Sequence, residues 1–312
     1  MKGLELCERY FYEYGLPMIE REFSELLPRM AIGVVGQGSE ALGYDDEISR
    51  DHDFEPGFCI WLNDEDYKKY EFTLSRAYSR LPKEFMGVKR LALAPADGAR
   101  HGVFSISEFY VRFIGTANVP LSVETWLNIP THYLKTATNG KVFMDNLGEF
   151  TRIREYLLKG YPEDVRLKKI ASHSVLCNQS GQYNYARCLA HNESGAGQLA
   201  VNEFVKHAIS IIYLLNKEYE PFYKWAYRGL RELKVLAELE APLTFLTETG
   251  NAENEVQGKL EIIEDICRII IEEYHNQGLT LATCNNMDTH AYSVQDKIKD
   301  ASLRNSNVFI GA

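Results

Sequence analysis

From Gly3 to Leu27 apolar residues recur at spacings of three and four, with Leu6, Tyr10 and Tyr14 on one line and Ile19, Phe23 and Leu26 on the next. This period predicts two helical pieces, divided by Pro17. Ala31 to Val35 is a short apolar run that ends in Gly36 and Gly38, the pattern of a buried strand entering a glycine-rich turn. Phe58 to Leu62 has the same strand character, residues 64 to 80 return to helical spacing through Tyr67, Tyr70, Leu74 and Tyr78, and Gly102 to Ile106 predicts a third strand.

After about residue 120 the strand signals fade. Leu199 to Leu215 predicts a helix with Val201, Phe204, Val205, Ala208, Ile209, Ile212 and Leu215 on its buried face, and Glu203, Lys206, His207 and Ser210 turned elsewhere. Residues 256 to 275 predict another, with Ile262, Ile263, Ile266, Ile269 and Ile270 inward and Glu261, Glu264, Asp265, Arg268 and Glu272 outward. The fold class expected is α+β: a mixed sheet with flanking helices over residues 1–125, then a helical bundle domain over 126–312.

Composition narrows the partners. Hydrophobic residues make up 45% of the chain, enough for a real core, and the formal net charge of −10 argues against duplex DNA as a ligand. The basic run Arg166, Lys168 and Lys169 reads as a solvated helix face. Six cysteines without CxxC spacing indicate neither a zinc site nor a disulfide framework, and Cys59 and Cys267 fall within apolar runs as small buried hydrophobes. The N-terminal residues lack a signal-peptide core and no apolar stretch approaches ~20 residues, so the expectation is a cytoplasmic protein with no membrane partner.

The chemistry concentrates between Gly36 and Asp53. Gly38 and Ser39 follow a strand, and a turn there can present backbone N–H groups and a hydroxyl to phosphate oxygens. Asp51 and Asp53 are one residue apart, so on an extended segment both carboxylates point to one face while His52 points to the other. Two convergent carboxylates beside a phosphate turn suit Mg²⁺, and the reaction class they suggest is nucleotidyl transfer. Ser49 and Arg50 are candidates to steady the triphosphate, against ion pairing within an acidic loop. The plainer reading of the aspartates is a capped turn on an acidic surface.

A Gly-Ser turn followed about a dozen residues later by Asp-x-Asp resembles the signature of the DNA polymerase beta-like nucleotidyltransferase superfamily. Joined to Gly181-Gln-Tyr-Asn-Tyr-Ala-Arg187 and to the run from Leu215 to Trp225, it is similar to a largely uncharacterised bacterial two-domain family. Its architecture resembles that of aminoglycoside and lincosamide nucleotidyltransferases. The resemblance implies a nucleoside triphosphate substrate, ATP by default, attack of an acceptor hydroxyl on the α-phosphate, release of pyrophosphate, and a helical domain that holds the acceptor. It also implies a third carboxylate on a later strand, and here the chain departs from the pattern. Glu108 is the nearest candidate, at a strand end that fits a helix start equally well, with Asp45 or Asp46 as substitutes.

In the helical domain Tyr183, Arg187, Tyr219, Tyr223, Lys224 and Trp225 are candidate walls of an acceptor cleft, although Tyr219 and Trp225 at helical spacing read better as core. Arg187 and Lys224 are candidate partners of a nucleotide phosphate. Glu203 and His207, one turn apart, are a candidate base pair for the acceptor hydroxyl, against a solvent-facing reading. The acceptor itself is unidentified, with a small molecule or a protein ahead of RNA. The alternative function is a catalytically degenerate nucleotide-binding sensor or protein-interaction module, suggested by the missing third carboxylate.

Overall fold

A computed structural model of the chain describes residues 1–51, 54–90 and 100–312, and of Arg50 and Asp51 the backbone only. The chain divides into two units, one made of Met1–Leu121 with Ile129–Lys159 and the other of Ser122–Asn128 with Gly160–Ala312. The fold is α+β, with a small mixed sheet in the first unit and helices throughout the second. The division expected between 125 and 126 is thus interleaved, because a strand at Lys141–Asp145 pairs with the strand at Ala31–Val34 in the first unit.

The first unit begins with α1 (Gly3–Tyr10), a π-helical stretch (Phe11–Gly15) and α2 (Leu16–Glu22). Pro17 was expected to divide two helices, yet the chain stays helical through it. Pro17 has no N–H for the carbonyl of Glu13, so the ladder widens into a π turn just before it and Pro17 falls in the first turn of α2, where no donor is needed. Leu6, Tyr10, Ile19 and Leu26 reach the core beside Ile32, Phe58, Ile60, Leu74 and Tyr78.

Then come β1 (Ala31–Val34), α3 (Ser39–Leu42), β2 (Cys59–Leu62), α4 (Asp64–Ser79), the short pair β3 (Glu84–Phe85) and β4 (Val88–Lys89), β5 (Gly102–Ser105) and α5 (Ile106–Ile114). Helix α6 (Val123–Asn128) belongs to the second unit, and α7 (Thr131–Thr138), β6 (Lys141–Asp145) and α8 (Glu149–Leu158) return to the first. Asn63 caps α4 by accepting from the Asp66 N–H, and Ser105 caps α5 by accepting from the Glu108 N–H.

The sheet order is β5-β2-β1-β6. β1 is antiparallel to β2 and to β6, whereas β2 and β5 are parallel. In this register Gly33 lies opposite Cys59, Cys59 opposite Gly102 and Val34 opposite Lys141. The end of β1 therefore meets the starts of β2, β5 and β6 along one edge, and the glycine turn leaves β1 there. Strand β6 was not expected after residue 120. One of its five residues is exposed and the other four are half-buried, so it lacks an alternating signature and is defined by pairing with β1.

The second unit runs through α9 (Glu163–Cys177), a π-helical stretch (Asn178–Tyr185), α10 (Ala186–Ala190), α11 (Ser194–Leu215), α12 (Tyr223–Leu230), α13 (Glu240–Glu248), α14 (Glu253–Asn276), α15 (Met287–Gln295) and α16 (Ala301–Arg304). Every residue of α9 from Val165 to Val175 is buried, with α11 and α15 packed against it. The basic run is therefore not a solvated face. Lys168 donates to Gln295 Oε1 (2.7 Å) and the Asn307 carbonyl (2.8 Å), Lys169 to the Gly311 carbonyl (2.9 Å), and Arg166 to Glu163 and the Leu214 carbonyl. Buried cations persist because each finds such acceptors.

The apolar face expected of α11 is inward, that expected of α14 is inward except that Ile262 and Ile269 are half-buried, and His207 and Ser210 are buried too. The expected inward residues of α11 are all buried, Glu203 and Lys206 are exposed, and on α14 Ile263, Ile266 and Ile270 are buried. Among the described residues no helix is long and apolar enough to cross a membrane.

Candidate functional site

The glycine turn after β1 is built by residues far away in sequence. Gly36 has φ of +132° and Gly38 of +131°, a backbone region that side chains rarely tolerate, and this explains why glycines flank Gln37. Gly36 donates its N–H to Asn139 Oδ1 (2.9 Å), and Asn139 Nδ2 donates back to the Gly36 carbonyl (2.7 Å). Behind Asn139, Arg154 Nη2 donates to the carbonyls of Thr138 (2.8 Å), Asn139 (3.1 Å) and Gly140 (3.2 Å). The start of β6 is thereby tied to the end of α7, and Gly140 adds a backbone bond to the Ala41 carbonyl (2.7 Å).

Arg100 holds the other side of the turn. Its Nε donates to the Gln37 carbonyl (3.2 Å) and its Nη2 pairs with Glu40, whose side chain is almost enclosed. A Cβ on Gly38 would run into this pair. The turn opens on a narrow cavity lined by Gly36, Arg100, Phe104, Phe109, Arg112 and Phe113. It encloses about 30 Å³, room for a water or two in this arrangement. Two guanidiniums and three aromatic rings thus border the backbone of Gly36. Cys59 also reaches this cavity, but burial pushes its thiol well above the usual range, so it is an inert wall.

The sequence-predicted residues fall into three groups. Gly38 and Ser39 sit at this turn, half-buried, with Ser39 opening α3. Asp51 ends a 3-10 helix (Ile48–Asp51); the side chains of Arg50 and Asp51, and the whole of His52 and Asp53, lie outside the described residues. Glu108 is exposed in the first turn of α5, after the end of β5 farthest from Gly102. The glycine turn lies beyond the opposite, Gly102 end; the next residue, Phe109, lines the cavity beside Gly36, and Glu108 is not among that cavity's lining residues.

The substitute acids are already engaged. Asp45 is buried, its Oδ2 accepts from the Gly3 N–H (2.8 Å), and Lys2 lies 3.8 Å from its Oδ1. Asp46 Oδ1 accepts from the N–H (2.9 Å) and hydroxyl (3.0 Å) of Ser49, which closes a local turn and accounts for Ser49. Among the described residues no three His, Cys, Asp or Glu side chains converge as a metal site would require.

Arg187 and Lys224 belong to the second unit, on α10 and α12. Both are exposed, Arg187 over the Tyr183 ring (5.0 Å) and Lys224 over Trp225 (5.1 Å). Tyr219 is buried edge-on against Tyr161, in keeping with a core role.

Asn139, Arg154, Arg100 and Arg112 had no sequence signal. Asn139 is 103 positions from Gly36, and an isolated Asn or Arg has no period that would mark it.

A family model described as "Domain of unknown function (DUF4037)" matches residues 126–226. That span includes Asn139, Arg154, His173, His207 and Glu220, and does not include the glycine turn. No curated protein and no solved structure matches the chain.

Proposed function

We propose that the first unit is the catalytic part of a Mg²⁺-dependent nucleotidyltransferase, which transfers a nucleoside monophosphate, AMP from ATP by default, to a hydroxyl of an acceptor and releases pyrophosphate. The observation that carries this reading is the turn from Gly36 to Ser39. Its backbone is clamped by Asn139 and Arg100 in a glycine-only conformation and borders a cavity with two guanidiniums. A preformed turn of this kind binds phosphate oxygens through N–H groups without paying to order the loop.

Within this reading each residue has a task. The N–H groups around Gly38 and Ser39 hold the triphosphate, and Arg112 adds positive charge. Arg100, paired with Glu40, exchanges that carboxylate for a phosphate oxygen as nucleotide enters. Phe104, Phe109 and Phe113 offer apolar faces to the base. Asp51 and Asp53 are the residues that would hold Mg²⁺, which when bound neutralises phosphate charge. The acceptor oxygen forms a bond to the α-phosphorus as the bond to the pyrophosphate oxygen breaks, and the hydroxyl proton is lost to a base. The second unit selects the acceptor, with Arg187 and Lys224 as exposed cations available to an anionic group.

The test is calorimetric titration of each nucleoside triphosphate with and without Mg²⁺, on the native protein and on the Asp51→Asn, Asp53→Asn double variant. Mg²⁺-dependent binding that the double variant loses supports the site. Binding unchanged in the variant removes the aspartates from it, and an absence of nucleotide binding to the native protein overturns the reading.

A further inference from the structure

The second unit contains a line of titratable side chains that the nucleotide reading leaves unused. Lys169 and His173 are one turn apart on α9, and Glu203, Lys206, His207 and Ser210 lie on α11, with Glu220 beyond its end. His173 and His207 are both buried, with their Nδ1 atoms 2.9 Å apart. The second nitrogen of His207, Nε2, lies 3.4 Å from the carboxylate of Glu203, which is 57% exposed. Ser210 donates to Glu220 Oε2 (2.6 Å).

A hydrogen bond between two Nδ1 atoms needs a proton on one and a lone pair on the other. Burial holds both rings neutral, and the positive charge of Lys206 acts in the same direction on both; Lys169 adds to it at His173. A neutral His207 has one N–H, and the Glu203 carboxylate draws it to Nε2. Nδ1 of His207 is then the acceptor, His173 is the Nδ1–H donor, and Nε2 of His173 is left with its lone pair. No described residue hydrogen-bonds that nitrogen.

We propose that Nε2 of His173 receives the hydroxyl of an alcohol ligand bound within the second unit, with Glu203 and His207 as positioning residues that set its tautomer. The alcohol O–H donates to Nε2, and the two hydrogen bonds in line, hydroxyl to His173 and His173 to His207, with the Glu203 carboxylate 3.4 Å beyond His207 Nε2, polarise one another toward an electron-rich ligand oxygen. The buried histidines, otherwise an expensive choice for a helical core, are thereby explained. The inference rests on the second unit alone and stands or falls independently of nucleotide binding.

The test uses the full chain labelled with ¹⁵N-histidine. Long-range ¹H–¹⁵N spectra at pH 7 are expected to show His173 as the Nδ1–H tautomer and His207 as the Nε2–H tautomer. Diethyl pyrocarbonate, which acylates an accessible imidazole lone pair, is expected to modify His173, as read by peptide mass spectrometry. Modification should slow several-fold in His207→Phe and recover in His207→Gln, whose amide oxygen still accepts from Nδ1. Sorbitol, as a generic polyol probe, should protect His173 while leaving the exposed His191 unprotected. An Nε2–H tautomer at His173, no modification of His173 in the native protein, equal protection of His173 and His191, or stoichiometric Zn²⁺ binding that shifts both rings would each overturn the proposal. The tautomer measurement needs no variant, so it decides the matter even where His207→Phe fails to fold.

Discussion

Asn139 and Gly36 form a two-way clamp, in which one side-chain amide accepts from the N–H and donates to the carbonyl of the same residue. The Asn139 amide makes with its side chain the two-bond exchange that a strand residue makes with its backbone in a hydrogen-bonded antiparallel pair. The clamp joins the turn after β1 to the start of β6, so the shape of the glycine turn depends on a residue in a segment that looked like the beginning of a helical domain.

Replacing Asn139 by Ala removes both bonds and leaves the Gly36 N–H and carbonyl without their partner. The expected cost is about 1–3 kcal/mol, read as a lower urea midpoint. Hydrogen exchange at the Gly36 amide should accelerate more than at Ile32 in the neighbouring strand. Equal exchange at Gly36 in both proteins would mean that the clamp does not order the turn.

Gly38→Ala places a Cβ at φ of +131° and against the Arg100–Glu40 pair. Backbone strain of this kind costs on the order of 1–3 kcal/mol, and the pair must shift as well. The expected result is a folded protein with a lower Tm and loss of nucleoside triphosphate binding by calorimetry. Native affinity in this variant would remove Gly38 from the phosphate turn.

Lys259 in the second unit is fully buried and its ammonium donates to Gln198 Oε1 (3.0 Å), Asn251 Oδ1 (3.1 Å) and the carbonyls of Thr249 (3.0 Å) and Gly250 (3.3 Å). It acts as a staple that satisfies the end of α13 and the start of α14 together. Lys259→Met keeps the apolar stem and strands four acceptors, for an expected loss of about 3 kcal/mol by chemical denaturation. A loss below experimental error would show that water replaces the ammonium.

Burial raises the Glu220 carboxyl from 4.5 to about 7, with the Ser210 hydroxyl opposing. A carboxyl that is more basic when folded stabilises the fold fully below the unfolded value of 4.5, and that contribution is lost as pH rises toward 7. His207 is lowered from 6.5 to about 4, so its contribution is full above 6.5 and is lost as pH falls toward 4. Glu220→Gln keeps an oxygen for Ser210 and cannot ionise. It should melt at a higher temperature than the native protein at pH 8, and by a clearly smaller margin at pH 5. An identical difference at both values would show that Glu220 does not titrate in this window.

The sequence by itself determined the elements whose signal is local. Strands β1, β2 and β5, the long helices α4, α11 and α14, and the glycine turn were all legible, because a period of two or 3.6 or a pair of glycines lies within a short window. The same reading put Asp51 and Asp53 near the turn, a proposal that the described side chains do not reach.

Tertiary structure decided what distant partners decide. β6 is a strand because β1 offers it a ladder, and Pro17 lies inside a helix because a π turn absorbs the missing donor. Lys168, Lys169 and His207 are interior because carbonyls, an amide and a second imidazole are waiting for them, although charge alone predicts the surface. A charged or polar side chain has two stable places, water or a complete set of partners, and sequence spacing cannot show which partners the fold will bring.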